Sequence, residues 1–132
     1  MSETKQLPRA AWEEYFMRFT RERLRNDGPA AATVEVMSPT LGDQFEVSAV
    51  RLLGLAYDPR SNALEVEVED LEHLISYPRE IWVLEGEPGF LATLEVVHQD
   101  GLKEIIYIRK SGALVLSTTR EATGTPDPRE DR

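Results

Sequence analysis

Two histidines, His73 and His98, are the side chains of this sequence best suited to acid–base or metal chemistry. An imidazole does such work only where a carboxylate or a second ligand converges on it. Glu72 adjoins His73, and Asp100 follows His98 by two positions, so each ring has an acid at hand. With 24 Asp and Glu in 132 residues, neighbours of that kind arise by chance. Neither histidine sits in a recognisable ligand spacing. The expectation is no metal, no cofactor and no catalytic residue, with the His73 ring packed on a loop and bonded to backbone.

A second group of acids runs through Glu65, Glu67, Glu69, Asp70 and Glu72. Paired carboxylates do acid–base work when burial pushes their pKa values apart. On one exposed strand face they only repel and bind water. No Gly-containing loop gathers them as calcium ligands. Glu65, Glu67 and Glu69 therefore read as a wet face whose functional use is docking a basic partner, such as the Arg-rich helix of a neighbouring subunit. Tyr57, Tyr77 and Trp82 fall near turns or strands and, with His73, define the alternative: a small-ligand-binding protein or enzyme with a pocket near those four. Core packing competes for the aromatics, since burying one contributes about 2–3 kcal/mol. There is no phosphate-binding Gly-rich loop and no Gly-x-Ser-x-Gly elbow. Ser38, Ser48, Ser61 and Ser76 have no histidine and acid at a useful spacing.

The elements that must position these residues are mostly strands. From Val50 to Asp70 two alternating runs flank Asp58-Pro59-Arg60-Ser61-Asn62, a turn in which Pro59 fixes φ and Asp58 and Asn62 bond to nearby backbone. Leu64, Val66 and Val68 share one face of the second run and the glutamates the other. Gly54 marks a bulge or bend. Leu7 to about Arg25 reads as a helix with Pro8 in its first turn, an apolar face of Trp12, Tyr15, Phe16 and Phe19, and a polar face of Glu14, Arg18, Arg21 and Arg25. Further strands are expected over Thr33–Met37, Gln44–Val50, Glu80–Glu85, Leu91–His98 and Leu102–Arg109, the last two joined through Asp100-Gly101. The stretch Asp70–Pro78 breaks the alternation and reads as a crossover loop or a single helical turn. Ala113–Leu116 offers an edge strand, and 117–132 a disordered tail beyond a single domain of residues 1–116.

Composition narrows the partners. A net charge of −9 disfavours nucleic acid, because neutralising phosphates takes clustered Lys and Arg. The absence of cysteine removes disulfides, thiolate metal sites and a cysteine nucleophile, and suits the cytoplasm. No apolar run approaches the roughly 20 residues that span a bilayer, and no signal peptide is expected at the N-terminus, so no membrane partner is expected.

Several stretches together resemble a bacterial family of small proteins, a domain of unknown function. They are Leu7-Pro8-Arg9-Ala10-Ala11-Trp12, Leu52-Leu53-Gly54-Leu55-Ala56-Tyr57-Asp58-Pro59, His73-Leu74-Ile75-Ser76-Tyr77-Pro78-Arg79-Glu80-Ile81, and the Asp100-Gly101 hairpin with Ile105-Ile106-Tyr107-Ile108. The resemblance covers Leu7 to about Lys110 and implies no activity, cofactor or catalytic residue. In architecture alone, a helix followed by bent antiparallel strands is similar to Sm-like and SH3-like barrels. The expected fold is α+β: an N-terminal helix packed on a curved antiparallel sheet or small, partly open barrel of about five to seven strands. The expected function is that of a non-enzymatic cytoplasmic module for protein interaction or self-association.

Overall fold

The computed structural model describes residues 3–26, 28–38, 40 and 42–110, the side chains of 43–48 excepted. Eight antiparallel strands form one sheet: β1 Lys5–Leu7, β2 Ala30–Ser38, β3 Gly42–Asp58, β4 Ala63–Val68, β5 Leu71–Ser76, β6 Pro78–Glu87, β7 Phe90–His98 and β8 Lys103–Lys110. Their order is β1-β6-β7-β8-β2-β3-β4-β5, so the sheet is not closed, and β1 and β5 are its edges. A helical segment lies between β1 and β2: a 3-10 turn at Arg9–Ala11, α1 at Trp12–Arg18, and a π turn at Phe19–Leu24. Expectations for Ala113–Leu116 and for the tail lie outside the described residues.

The sheet is strongly curled. His73 on β5 and Glu104 on β8 are four strands apart in the order, about 19 Å in a flat sheet, yet their side chains are 2.5 Å apart. The concave side holds the core, with Val34, Leu64, Val66, Ile75, Ile81, Val83, Leu94, Val96 and Ile106 fully buried. The alternation expected of β4 is present: Leu64, Val66 and Val68 are buried, Glu65 is half-buried and Glu67 is exposed.

The helical segment buries Trp12, Phe16 and Phe19 of the expected stripe in the same core, with Tyr15 half-buried against it. In a π turn residues five apart come back to one face, which lets Leu24 join Phe19 there. Glu14, Arg18, Arg21 and Arg25 are exposed. Thr20 meets β3 at the Gly54 bulge, where the β3–β4 register shifts between Leu52 and Gly54. Beyond Leu52 the other side of β3 has left β2. The Thr20 hydroxyl takes over there, accepting from the Leu55 N–H and donating to the Leu55 carbonyl, both at 2.9 Å.

Three expectations are corrected. The helix begins at Arg9 rather than Leu7, because a residue before proline is driven from the helical region. Leu7 is extended and pairs with Ile81, making β1. The segment after Asp70 is a strand, not a loop or a helical turn. Corners at Asp70 (φ 69°) and Tyr77 (φ 54°) bracket β5. With β1 and β5 the described residues form eight strands, beyond the five to seven expected. Both hairpin turns lie where expected: Arg60 N–H donates to Asp58 Oδ1 at 2.9 Å, and Gly101, at φ 92°, closes the β7–β8 turn, but the Asn62 side chain bonds to the Tyr57 and Arg9 side chains rather than to backbone.

Candidate functional site

Three features meet on or beside β5. The first is a buried cluster. His73 Nε2 lies 2.5 Å from Glu104 Oε1, and His98 Nε2 lies 2.7 Å from Glu104 Oε2. Strand parity brings them together. Glu104 shares the inner face of β8 with Ile106 and Ile108, His98 that of β7 with Leu94 and Val96, and His73 that of β5 with Ile75. The Glu104 side chain is 6% exposed and the histidines 18% and 16%. Two imidazoles donating Nε2–H to one carboxylate satisfy a buried charge that would otherwise be costly. Each Glu104 oxygen is occupied by a different ring at hydrogen-bond distance. Consistent with that geometry, no group of three His, Cys, Asp or Glu among the described residues is arranged to hold a metal.

The histidines thus converge on a carboxylate, but neither Glu72 nor Asp100 supplies it. Glu72 belongs to the outer face and sits opposite Glu67. Asp100 caps its own hairpin, accepting from the Leu102 N–H at 3.0 Å. Glu104 carries no local cue to its burial, because it lies in the run Lys103-Glu104-Ile105-Ile106, whose inner parity is fixed only by Ile106 and Ile108.

The second feature is the outer edge of β5. This strand pairs with β4 alone, so one of its hydrogen-bonding edges has no strand partner among the described residues. Leu71, Leu74 and Tyr77 are 53%, 52% and 59% exposed. Leu74 stands opposite Glu65. Partial burial, then the charges of Glu72 and Asp58, raise the Glu65 carboxyl above the ordinary glutamate range. Glu69 is exposed at the β4–β5 turn, where its N–H donates to the Arg51 carbonyl at 2.9 Å.

The third feature is the corner where β5 becomes β6. Tyr77 N–H donates to the Asn62 carbonyl at 2.8 Å, and Asn62 is itself left-handed at φ 53°. The Arg9 guanidinium reaches Tyr57 OH at 3.2 Å, Asn62 Oδ1 at 3.3 Å and the Pro78 carbonyl at 3.2 Å. Tyr57 OH donates to Asn62 Oδ1 at 2.7 Å. The guanidinium stacks over Trp12, 4.4 Å from the ring centre, while Tyr57 meets the Trp12 ring edge-on. Trp12 in turn donates to the Leu7 carbonyl. Leu7-Pro8-Arg9, Trp12, Tyr57-Asp58-Pro59 and Tyr77-Pro78, read separately in the sequence, thus converge around one arginine.

Of the four residues suggested for a pocket, Tyr57 and Tyr77 share this corner through Asn62. His73 lies four residues before Tyr77 on the strand, about 13 Å away, and faces the interior. Trp82 is on the opposite edge region, paired with Gln6 and Glu95, its indole donating to Glu80 at 3.0 Å. The structure does not gather the four into one site. Arg9 was not singled out from the sequence.

Residues 3–115 match a family of unknown function, DUF5335. An uncharacterized protein of Aquifex aeolicus (strain VF5) is 39% identical over 108 residues, spanning 80% of this chain and 92% of the relative. No solved structure matches.

Proposed function

We propose, for a chain that belongs to the DUF5335 family of unknown function, the role of a non-enzymatic interaction module that receives an extended segment of a partner protein along β5. The observation that carries this reading is the edge of β5 that has no strand partner among the described residues, beside exposed Leu71, Leu74 and Tyr77. An open strand edge offers main-chain donors and acceptors to another chain, and pockets for alternate side chains give selectivity. Here the flanking face carries Glu65, Glu67 and Glu72 beside Leu74. The complementary segment alternates basic and apolar residues. Self-association by antiparallel β5–β5 pairing fits less well, because it brings two acidic faces together and like charges opposite one another destabilise. Among the described residues no helix is long and apolar enough to cross a membrane. The cytoplasm suits a chain without cysteine, and the net charge of −9 argues against nucleic acid as the partner.

Titrating the full chain with a synthetic peptide of alternating lysine and valine tests the reading. Amide shifts should concentrate on Leu71–Ser76 and disappear in the Glu65→Lys/Glu67→Lys/Glu72→Lys variant, while an alternating glutamate–valine peptide should leave the spectrum unchanged. Light scattering during size exclusion should give a monomer. A stable dimer, or lysine-peptide binding that ignores the charge reversal, would overturn the assignment.

A further inference from the structure

We infer that the depression beside Arg9 is a binding site for a carboxylate monoanion. It encloses about 460 Å³ and is lined by Arg9, Ala10, Glu13, Tyr57, Pro59 and Asn62. A guanidinium has five N–H donors. Three neutral oxygens, those of Tyr57, Asn62 and Pro78, receive bonds from Nη1 and Nη2. With one donor for each, the Nε–H and one Nη2–H have no acceptor among the described residues. These contacts orient the group without neutralising it. Arg18, Arg21, Arg23, Arg60 and Arg79 each reach a carboxylate. Arg9 reaches none among the described residues, although Glu13 stands one helical turn away on the same wall.

An arginine held over an indole, its position fixed by neutral acceptors and its charge not matched by a carboxylate among the described residues, is prepared for an anion. Stacking and fixed hydrogen bonds lower the entropy lost when a planar ligand docks, and a carboxylate matches the guanidinium fork in geometry. Glu13 selects within the anions. It repels a phosphate dianion more than a carboxylate, and it can accept from an N–H or O–H of the same ligand. Tyr57 supplies an apolar ring edge and Pro59 an apolar rim. The internal bonds of Arg9 brace the corner. They leave two donors without an acceptor among the described residues on an arginine that lines an open depression, and a carboxylate supplies both acceptors.

The carboxylate can belong to a free small acid or to the C-terminus of a peptide chain. Amide shifts of the full chain should be followed with sodium acetate, with an acetylated dipeptide acid, with the same dipeptide amidated, and with inorganic phosphate, all against sodium chloride at matched ionic strength. Shifts confined to Arg9–Glu13, Tyr57 and Asn62 with acetate and the acid, and absent with the amide, are expected. Affinity about tenfold higher for the dipeptide acid than for acetate identifies a chain terminus as the source, and equal affinity identifies a free acid. Arg9→Lys keeps the charge, loses the fork and should weaken binding about tenfold. Because Arg9 also braces the corner, Ala10→Phe provides a second variant. It fills the depression from an exposed position, and should abolish the shifts with the melting temperature unchanged. Shifts with acetate no larger than with chloride, stronger binding of phosphate, or binding that survives Ala10→Phe would each overturn the inference.

Discussion

Removing the Glu104 carboxylate should be among the costliest single changes in this fold. In Glu104→Ala two imidazoles lose their acceptor at once. A hydrogen bond to a charged group contributes about 1.5–3 kcal/mol, and an orphaned buried donor costs about 1–3 kcal/mol. The His73 and His98 side chains keep 18% and 16% of their exposure, so water recovers part of the loss. The expected destabilisation is about 3–4 kcal/mol, a large share of the 5–15 kcal/mol typical of a domain. Glu104→Gln keeps one acceptor oxygen and replaces the other with an amide donor, which forces one ring to the opposite tautomer. About 1–2 kcal/mol is expected there. Urea unfolding reads both as shifts in midpoint at constant slope. Thermal unfolding reads them at about 3–5 °C per kcal/mol for a chain of this size. In native-state hydrogen exchange β5 should lose protection before β2 and β8. If Glu104→Ala costs under about 1 kcal/mol, or if Gln is as damaging as Ala, the view that the carboxylate satisfies both rings is wrong.

Three further outcomes follow from the same geometry. Thr20→Val preserves shape but leaves the Leu55 N–H and carbonyl without their partner at the β3 bulge, and should cost about 1–3 kcal/mol in urea unfolding. Burial pushes the Glu85 carboxyl up, but the Gly89 N–H, the Tyr15 hydroxyl and the Lys5 and Arg23 charges outweigh it and hold it below the usual glutamate range. The stability Glu85 contributes is present above its unfolded value and is lost as pH falls through its lower folded value. Glu85→Gln should therefore flatten the acid limb of a urea-midpoint-versus-pH curve. Glu65 has the opposite sign: its raised folded value means stability is lost as pH rises through the interval above the unfolded value. Glu65→Gln should be more stable than the parent at neutral pH and equal to it in acid, as the same curve will show.

The parts of the fold legible in the sequence are those whose cues are local. Asp58-Pro59 with Asn62, and Asp100-Gly101, carry turn chemistry within a few residues. Trp12, Phe16 and Phe19 mark a helical stripe, and Leu64, Val66 and Val68 a dry strand face. The parts that were not legible depend on distance. In β5 the inner positions are His73 and Ile75 and an outer one is Leu74, so hydropathy no longer reports which way a residue points. His73 can occupy an interior position because Glu104, 31 positions away, accepts from its Nε2–H. Proximity in the chain pointed instead to Glu72, which adjacency places on the opposite face of the same strand. The Arg9 cluster has the same character, since its acceptors at Tyr57, Asn62 and Pro78 lie 48, 53 and 69 positions away.

A buried glutamate is an expensive way to fill a core position, and well-packed apolar replacements of such groups are often neutral or stabilising. Its presence is better explained by what it does to β5. An edge strand bordered by one neighbour has few constraints on its register, and a slip by two residues returns apolar side chains to the same face. Leucine at 73, 98 and 104 would tolerate that slip. The paired contacts of His73 and His98 with two different oxygens of Glu104 do not, and the Tyr77–Asn62 hydrogen bond fixes the other end. A strand pinned at both ends arrives at a partner already ordered, so docking forfeits less conformational entropy. The triple variant His73→Leu/His98→Leu/Glu104→Leu should accordingly keep most of the parent's stability, since no polar group is orphaned, yet show faster hydrogen exchange along β5 and weaker capture of the lysine–valine peptide. A triple variant as unstable as Glu104→Ala would mean that the cluster supplies stability rather than register.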